Sequence, residues 1–207
     1  MGPRLSYLSS FHSNERHIWD IGCDHGLLGL SFHDTPSIES INLVDPSGPV
    51  IEVLIKKIKD SYISKGNILV HHKQGQQLKI ESSSNCIFIA GMGGKEIGEI
   101  ISAILPDLDE RSKIVISPHR KILELRALLH ELPLALISES VLFQDGQFYQ
   151  IIVLRPQAEG SRVSLYGEEL WKSETGLKYK EHQLKFFETH RDMASIRYVE
   201  FLRFVTP

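Results

Sequence analysis

The sequence predicts an α/β fold: a doubly wound, mostly parallel sheet with an antiparallel last strand, followed by a short C-terminal helical extension. Three observations predict it. Short apolar runs alternate with helix-period stretches from residue 17 to residue 132, the pattern of a sheet wound by crossover helices. Cys86-Ile87-Phe88-Ile89-Ala90 is an unbroken apolar run, as a parallel strand covered on both faces requires. Asp145-Gly146 stands between two strand-like runs, residues 135–143 and 148–154, and is a hairpin signal. That hairpin would close the sheet with an antiparallel edge strand. Residues 1–156 form the sheet domain on this reading, and 157–207 a linker with a helical extension.

In chain order, residues 1–16 read as a short helix or ordered lead-in, with Leu5 and Leu8 three apart. Residues 17–21 are the first strand. Leu27, Leu28 and Leu30 begin a short helix that stops near Pro36. Residues 40–45 form a second strand ending on Asp45. Pro46-Ser47-Gly48-Pro49 opens a helix carrying Val50, Leu54, Ile55 and Ile58. Residues 68–70 are a third strand, and Gln74-Gly75-Gln76 follows it. The strand at 86–90 runs into Gly91-Met92-Gly93-Gly94 and a helix with Ile97, Ile100, Ile101 and Ile104. Residues 113–117 are the fifth strand, ending at Pro118-His119, and Leu123, Leu125, Leu128, Leu129 and Leu132 mark the next helix. Beyond a linker at 157–163, residues 166–170 form a docking element. A helical stretch from about residue 178 carries Leu184, Phe187, Ile196, Val199 and Leu202. An alternation that finishes on a hairpin is the S-adenosylmethionine-dependent methyltransferase form of the Rossmann-like sheet, not the nicotinamide form.

Composition narrows the classes. With 42% hydrophobic and 24% charged residues among 207, the chain is an ordinary globular protein. A formal net charge of −3 carries no global basic footprint, so any nucleic-acid contact must come from a local patch. Two cysteines, Cys23 and Cys86, make no disulfide framework and suit a reducing cytoplasm. No apolar run is long enough to span a bilayer. The histidines lack metal-ligand spacing, and adjacent His71 and His72 point to opposite strand faces.

The stretch His17-Ile18-Trp19-Asp20-Ile21-Gly22-Cys23-Asp24-His25-Gly26 carries the chemistry. A strand ends on a glycine turn that feeds a helix, the nucleotide-site arrangement of open α/β sheets. The spacing is D-x-G-x-x-x-G and not G-x-G-x-x-G, which weakens a dinucleotide reading. An acidic strand end suits a ligand with an amino group or a positive charge. S-adenosylmethionine, with an ammonium, a sulfonium and a ribose, fits.

Four stretches then carry a family resemblance. Arg4-Leu5, Asp20-Ile21-Gly22-Cys23-Asp24-His25, Ile89-Ala90-Gly91-Met92-Gly93-Gly94 and Asp145-Gly146-Gln147-Phe148-Tyr149-Gln150-Ile151-Ile152-Val153 resemble the bacterial tRNA (adenine-N1)-methyltransferases that act on adenosine 22. Leu125-Arg126 with Leu128-Leu129 matches too. The resemblance runs over residues 4–155 and continues faintly through Tyr166-Gly167 and Leu170-Trp171. The chain departs from the family at Ser117-Pro118-His119, where relatives have Gln-Pro-Asn. It departs at Gly75-Gln76-Gln77, where they have Gly-Asp-Gly, and at Asp45-Pro46-Ser47. Its tail is shorter than the family's coiled-coil arm.

The resemblance implies a tRNA partner, S-adenosylmethionine as cofactor, and no metal or membrane. Asp20, Gly22, Asp24, His25 and Gly26 would hold the methionine end, with turn capping as the other reading. Asp45 would accept both ribose hydroxyls or begin an Asp-Pro turn. Gln76 would meet the adenine edge or lie solvated in its loop. Gly91, Met92 and Gly93 would bring base and methyl group together, and Pro118 with His119 would form the opposite wall. Arg4, Lys95 and Arg120 are candidates for phosphate contacts, with Lys172, Lys178 and Lys180 behind them. Two other functions stand beside this one: a methyltransferase of the same fold with another nucleic-acid or small-molecule acceptor, and a catalytically reduced protein that binds cofactor and RNA.

Overall fold

The computed structural model describes residues 2–61, 66–156, 162–189 and 193–204. Seven strands form one sheet in the order β3-β2-β1-β4-β5-β7-β6. They are β1 (His17–Ile21), β2 (Ser40–Asp45), β3 (Ile68–His72), β4 (Asn85–Ala90), β5 (Lys113–Ser117), β6 (Leu134–Gln144) and β7 (Gln147–Pro156). The first five pair in parallel, and β7 runs antiparallel to both β5 and β6. The direction of winding reverses between β1 and β4, so their carboxyl ends flank a crevice.

Helices cover both faces. On one side α3 (Gly94–Ile104) and α4 (Ile122–Glu131) press Ile97, Ile101, Leu125 and Leu129 onto Ile87 and Ile89. On the other side α1 (Pro3–Ser9) and α2 (Gly48–Asp60) bring Leu8 and Leu54 onto Ile18 and Phe88. The run at 86–90 is central, with Cys86 through Ile89 wholly buried. Sandwiching by helices is why it needs no polar alternation.

Two expectations are corrected, and a third is met. The antiparallel strand is not the edge. The α4 crossover carries β6 one position past β5, and the tight Asp145-Gly146 turn folds β7 back into the space between them. The stretch after β1 is a four-residue 3-10 turn, Gly29–Phe32, and not a longer α-helix. The extension is two helices, α5 (Glu174–Thr189) and α6 (Met193–Phe204). Residues 157–161 of the expected linker lie outside the described residues. The docking element is present: Tyr166 stacks on Phe201 at 4.8 Å, and Leu170 and Trp171 are buried.

A buried ion pair ties this end to the sheet. Arg126 Nη2 donates to Glu139 Oε2 at 2.7 Å, and Arg126 Nε donates to the Ser164 carbonyl at 2.8 Å. Both charged side chains are out of solvent.

Candidate active site

Each parallel strand delivers a turn to the same edge of the sheet. After β1, Gly22 takes φ +72°, a left-handed conformation that costs most residues about 1–2 kcal/mol. The N–H groups of Gly22 and Cys23 both donate to the Val44 carbonyl, at 2.8 and 3.0 Å, which pins the turn to β2. Asp45 completes the link: Oδ2 accepts the Asp24 N–H at 3.2 Å and Oδ1 accepts the Ser47 N–H at 2.9 Å. Asp20 is buried and its Oδ2 accepts the Gly29 N–H at 2.8 Å. Burial raises its carboxyl to about 6, against the lowering effect of the Gly29 bond, and nearby Asp45 adds to the rise.

The turns after β4 and β5 are joined by their backbones. Gly91 N–H donates to Ser117 O at 3.2 Å, His119 N–H to Met92 O at 2.9 Å, and Gly94 N–H to Arg120 O at 2.8 Å. The parallel ladder thus continues past the strands as far as the Gly93–Arg120 bridge. Close approach explains the last glycine: a Cβ on Gly94 would fall on the Lys121 carbonyl oxygen.

The first and fourth turns meet. A Cβ on Gly22 would fall on the Met92 methyl. Beside this contact lies a cavity of about 510 Å³, within the range of small-molecule sites. Gly22, Gln76, Met92 and Gly93 line it, with Ile21, Val44 and Arg120. The other expected site residues lie around it and not in its lining. Asp20, Asp45 and Gly26 are buried beneath the first turn, and Asp24 and His25 are exposed on it. Gly91 is exposed at the head of the fourth turn, Pro118 is buried after β5, and His119 is exposed next to it.

Sequence reasoning missed two parts of this edge. The cavity takes Glu99 and Ile100 from the second turn of α3, a side that no glycine or acidic motif marks. The other part is a cluster on the α1 side. The Arg4 guanidinium lies 4.5 Å from the Tyr149 ring centroid, and the His119 ring 6.0 Å from the same ring. Burial and the neighbouring Arg4 charge lower the His119 pKa, favouring the neutral imidazole. The signal for this cluster was the length of the two hairpin runs, which exceeds that of the parallel strands they join. Among the described residues no cluster of three or more His, Cys, Asp or Glu could hold a metal. No helix among them is long and apolar enough to cross a membrane.

A sheet reversing between β1 and β4, with glycine turns facing across the reversal and an acidic end on β2, defines a Rossmann-like protein that takes a nucleoside-bearing ligand. Residues 1–152 match the model of the methyltransferase domain family, and the chain belongs to that family. It is 26% identical over 156 residues to the tRNA (adenine(22)-N(1))-methyltransferase of Bacillus subtilis. That alignment takes in 74% of this chain and 64% of the relative, so it spans less than two thirds of the curated protein. Among solved structures, Streptococcus pneumoniae Sp1610 in complex with S-adenosyl-L-methionine superposes with a TM-score of 0.81, at 20% identity, over 98% of both chains. The Bacillus subtilis m1A22 tRNA methyltransferase does so with a TM-score of 0.79, at 20% identity, over 98% of this chain and 94% of that one. At these identities the likeness is one of fold, and it includes the C-terminal helices.

Proposed function

We propose that this chain is an S-adenosylmethionine-dependent methyltransferase that modifies N1 of an adenosine in tRNA, adenosine 22, in the bacterial cytoplasm. One observation carries the reading: the Gly22 and Met92 turns touch across the β1/β4 reversal beside a ligand-sized cavity. The name of the Bacillus subtilis relative supports the acceptor. Unpaired Cys23 and Cys86 and the bacterial relatives support the compartment.

The residues present fit the cofactor. Gly22 and Gly93 keep two walls of the cavity free of side chains, and Val44 and Ile100 give it apolar surface for an adenine ring. The Gln76 amide stands on the same wall, able to donate to and accept from a base edge. Asp45 closes β2 where ribose hydroxyls are bound in such sheets. Asp20, Asp24, His25 and Gly26 shape the turn meant for the methionine end. Bound there, S-adenosylmethionine supplies an electrophilic methyl on a sulfonium.

Adenine N1 attacks through a neutral lone pair, so no general base is needed and positioning is the main task. Gly91 and Gly93 let the backbone approach a flat base, and Met92 offers a soft apolar contact. Pro118 and His119 face it from the neighbouring turn. Main-chain carbonyls of these turns can meet the positive charge that develops on the ring. A base within folded tRNA must first be turned out of its stack. Residues 1–156 would perform the chemistry, with 157–207 as an extension packed against them.

The test is labelled methyl transfer to unmodified bacterial tRNA, with nucleoside analysis and mapping. 1-Methyladenosine at position 22 is the expected product. Transfer to small acceptors alone, or cofactor binding without turnover, would overturn the reading.

A further inference from the structure

The hairpin does more than finish the sheet. The last β5–β7 pair is Ile116 with Ile152, yet the β6–β7 ladder continues to Gln144 with Gln147. Four residues of β7, Gln147 to Gln150, therefore stand beyond the end of β5 at Ser117, a projection of roughly 13 Å at the usual rise per residue. They project on the side where the β1, β4 and β5 turns lie. Continuing the register places Tyr149 across from His119, and their 6.0 Å ring separation agrees. Ser117, His119 and Tyr149 then share the face that α1 covers.

That face holds polar groups with no hydrogen-bond partner among the described residues. Arg4 Nε and Ser117 Oγ are both buried and neither makes a hydrogen bond. Arg4 is anchored nonetheless: its backbone N–H donates to Gln144 Oε1 at 2.7 Å, and its guanidinium packs on Tyr149. The Tyr149 hydroxyl donates to Gln147 Oε1 at 3.0 Å, which steadies the ring. A guanidinium held over an aromatic ring has five N–H donors, and those not covered by the ring can meet an anion.

We propose that Arg4 and Tyr149, with His119, form the acceptor-nucleotide subsite, Tyr149 stacking the turned-out purine and Arg4 gripping that nucleotide's phosphate. This rests on the tRNA reading above. A row of neighbours runs from the cavity to this patch. Gly22 meets Met92, Gly91 follows it with His119 Cε1 at 4.0 Å from its Cβ position, and Tyr149 and Arg4 come next. The uncharged imidazole favoured at His119 can accept from an exocyclic amine without repelling the cationic product.

The experiment compares Arg4→Gln, Tyr149→Leu and Tyr149→Phe with the native chain. Three quantities are measured on a tRNA transcript bearing adenosine 22: affinity across a salt series, methylation kinetics, and S-adenosylmethionine affinity by calorimetry. Arg4→Gln should weaken tRNA binding about tenfold and reduce the slope of log affinity against log salt by about one. Tyr149→Leu should leave that slope unchanged and lower kcat/KM about ten- to a hundredfold, the range of a lost base stack. Tyr149→Phe, which keeps the ring, should recover most of that loss. Cofactor affinity should stay native in all three. The subsite is overturned if Arg4→Gln keeps the native slope and Tyr149→Leu stays within twofold in kcat/KM. It is also overturned if cofactor affinity falls in step with activity. A native chain that binds tRNA without methylating it removes the activity while the salt slopes still judge Arg4. A native chain that does not bind tRNA removes both.

Discussion

Met92 lays its methyl group where a Cβ on Gly22 would stand, so two turns 70 residues apart in sequence share one small volume at the mouth of the cavity. A side chain at residue 22 therefore meets two obstacles. The backbone at φ +72° disfavours it, and the Met92 tip must leave. The tip is flexible and can be displaced; the backbone strain cannot. Gly22→Ala should cost about 1–2 kcal/mol in denaturant unfolding and weaken S-adenosylmethionine binding at least tenfold. Gly22→Ala combined with Met92→Ala should restore little of the stability. If the double variant returns to the Met92→Ala value, contact and not backbone strain is the dominant cost.

Gly94 makes the contrasting case. Its Cβ would fall on main chain, the Lys121 carbonyl oxygen, in the segment where Gly94 N–H bonds Arg120 O at 2.8 Å. No rotamer change relieves that overlap. Gly94→Ala should push the β4 and β5 turns apart, with a loss of about 2 kcal/mol or more by the overpacking rule. Amide exchange should speed up first at His119 and Gly94, whose bonds tie the two turns. Unchanged protection there would mean the turns are held by other contacts.

The parallel core was legible because several of its strands carried signatures: an apolar run at 86–90, acidic residues at Asp20 and Asp45, glycine turns at 22 and 91. That those two turns lie at the same end of the sheet follows from the winding rule; that Met92 reaches Gly22 does not. The position of β7 was not legible. Pairing of β7 with β5 is a choice between two edges of the same strand, and local sequence carries nothing about it. The Arg4–Tyr149–His119 cluster was hidden for the same reason, as its members lie up to 145 positions apart and meet only through that insertion. The sequence left two readings of the duty of Asp20 open, because a carboxylate that accepts the Gly29 N–H and one that greets a ligand read alike.

That duty has a pH signature. Asp20 holds its proton up to about 6 in the folded chain, against 3.8 ordinarily, through burial above all. The folded state therefore binds the proton more tightly than the unfolded one. This group adds stability as pH falls from about 7 toward 4 and withholds it at alkaline pH. Two units correspond to about 3 kcal/mol across that window. Asp20→Asn keeps an oxygen for the Gly29 N–H and removes the titration. Relative to the native chain, Asp20→Asn should be more stable at pH 8 than at pH 5, read from urea midpoints at both. An equal offset at the two pH values would remove Asp20 as the source. S-Adenosylmethionine binding should be lost in the same variant, since an amide cannot balance a cationic ligand.

The extension is held by a pair that tolerates no half-measure. Arg126 and Glu139 are sealed from water at 2.7 Å, and Arg126 also bonds the Ser164 backbone, so removing one partner leaves the other charge buried. Arg126→Met should cost about 3–5 kcal/mol. The loss should be local at first, because the aromatic cluster of Trp171, Tyr179 and Tyr198 forms a separate core from the two that clamp the sheet. Trp171, 1% exposed, should shift its emission to the red at lower urea than Trp19, which lies in the sheet between β2 and β4. Single-tryptophan variants separate the two signals. Arg126→Met with Glu139→Leu should recover much of the loss, since an apolar pair of similar volume carries no desolvation cost. Coincident Trp19 and Trp171 transitions in Arg126→Met would instead make the sheet and its helical extension one cooperative unit.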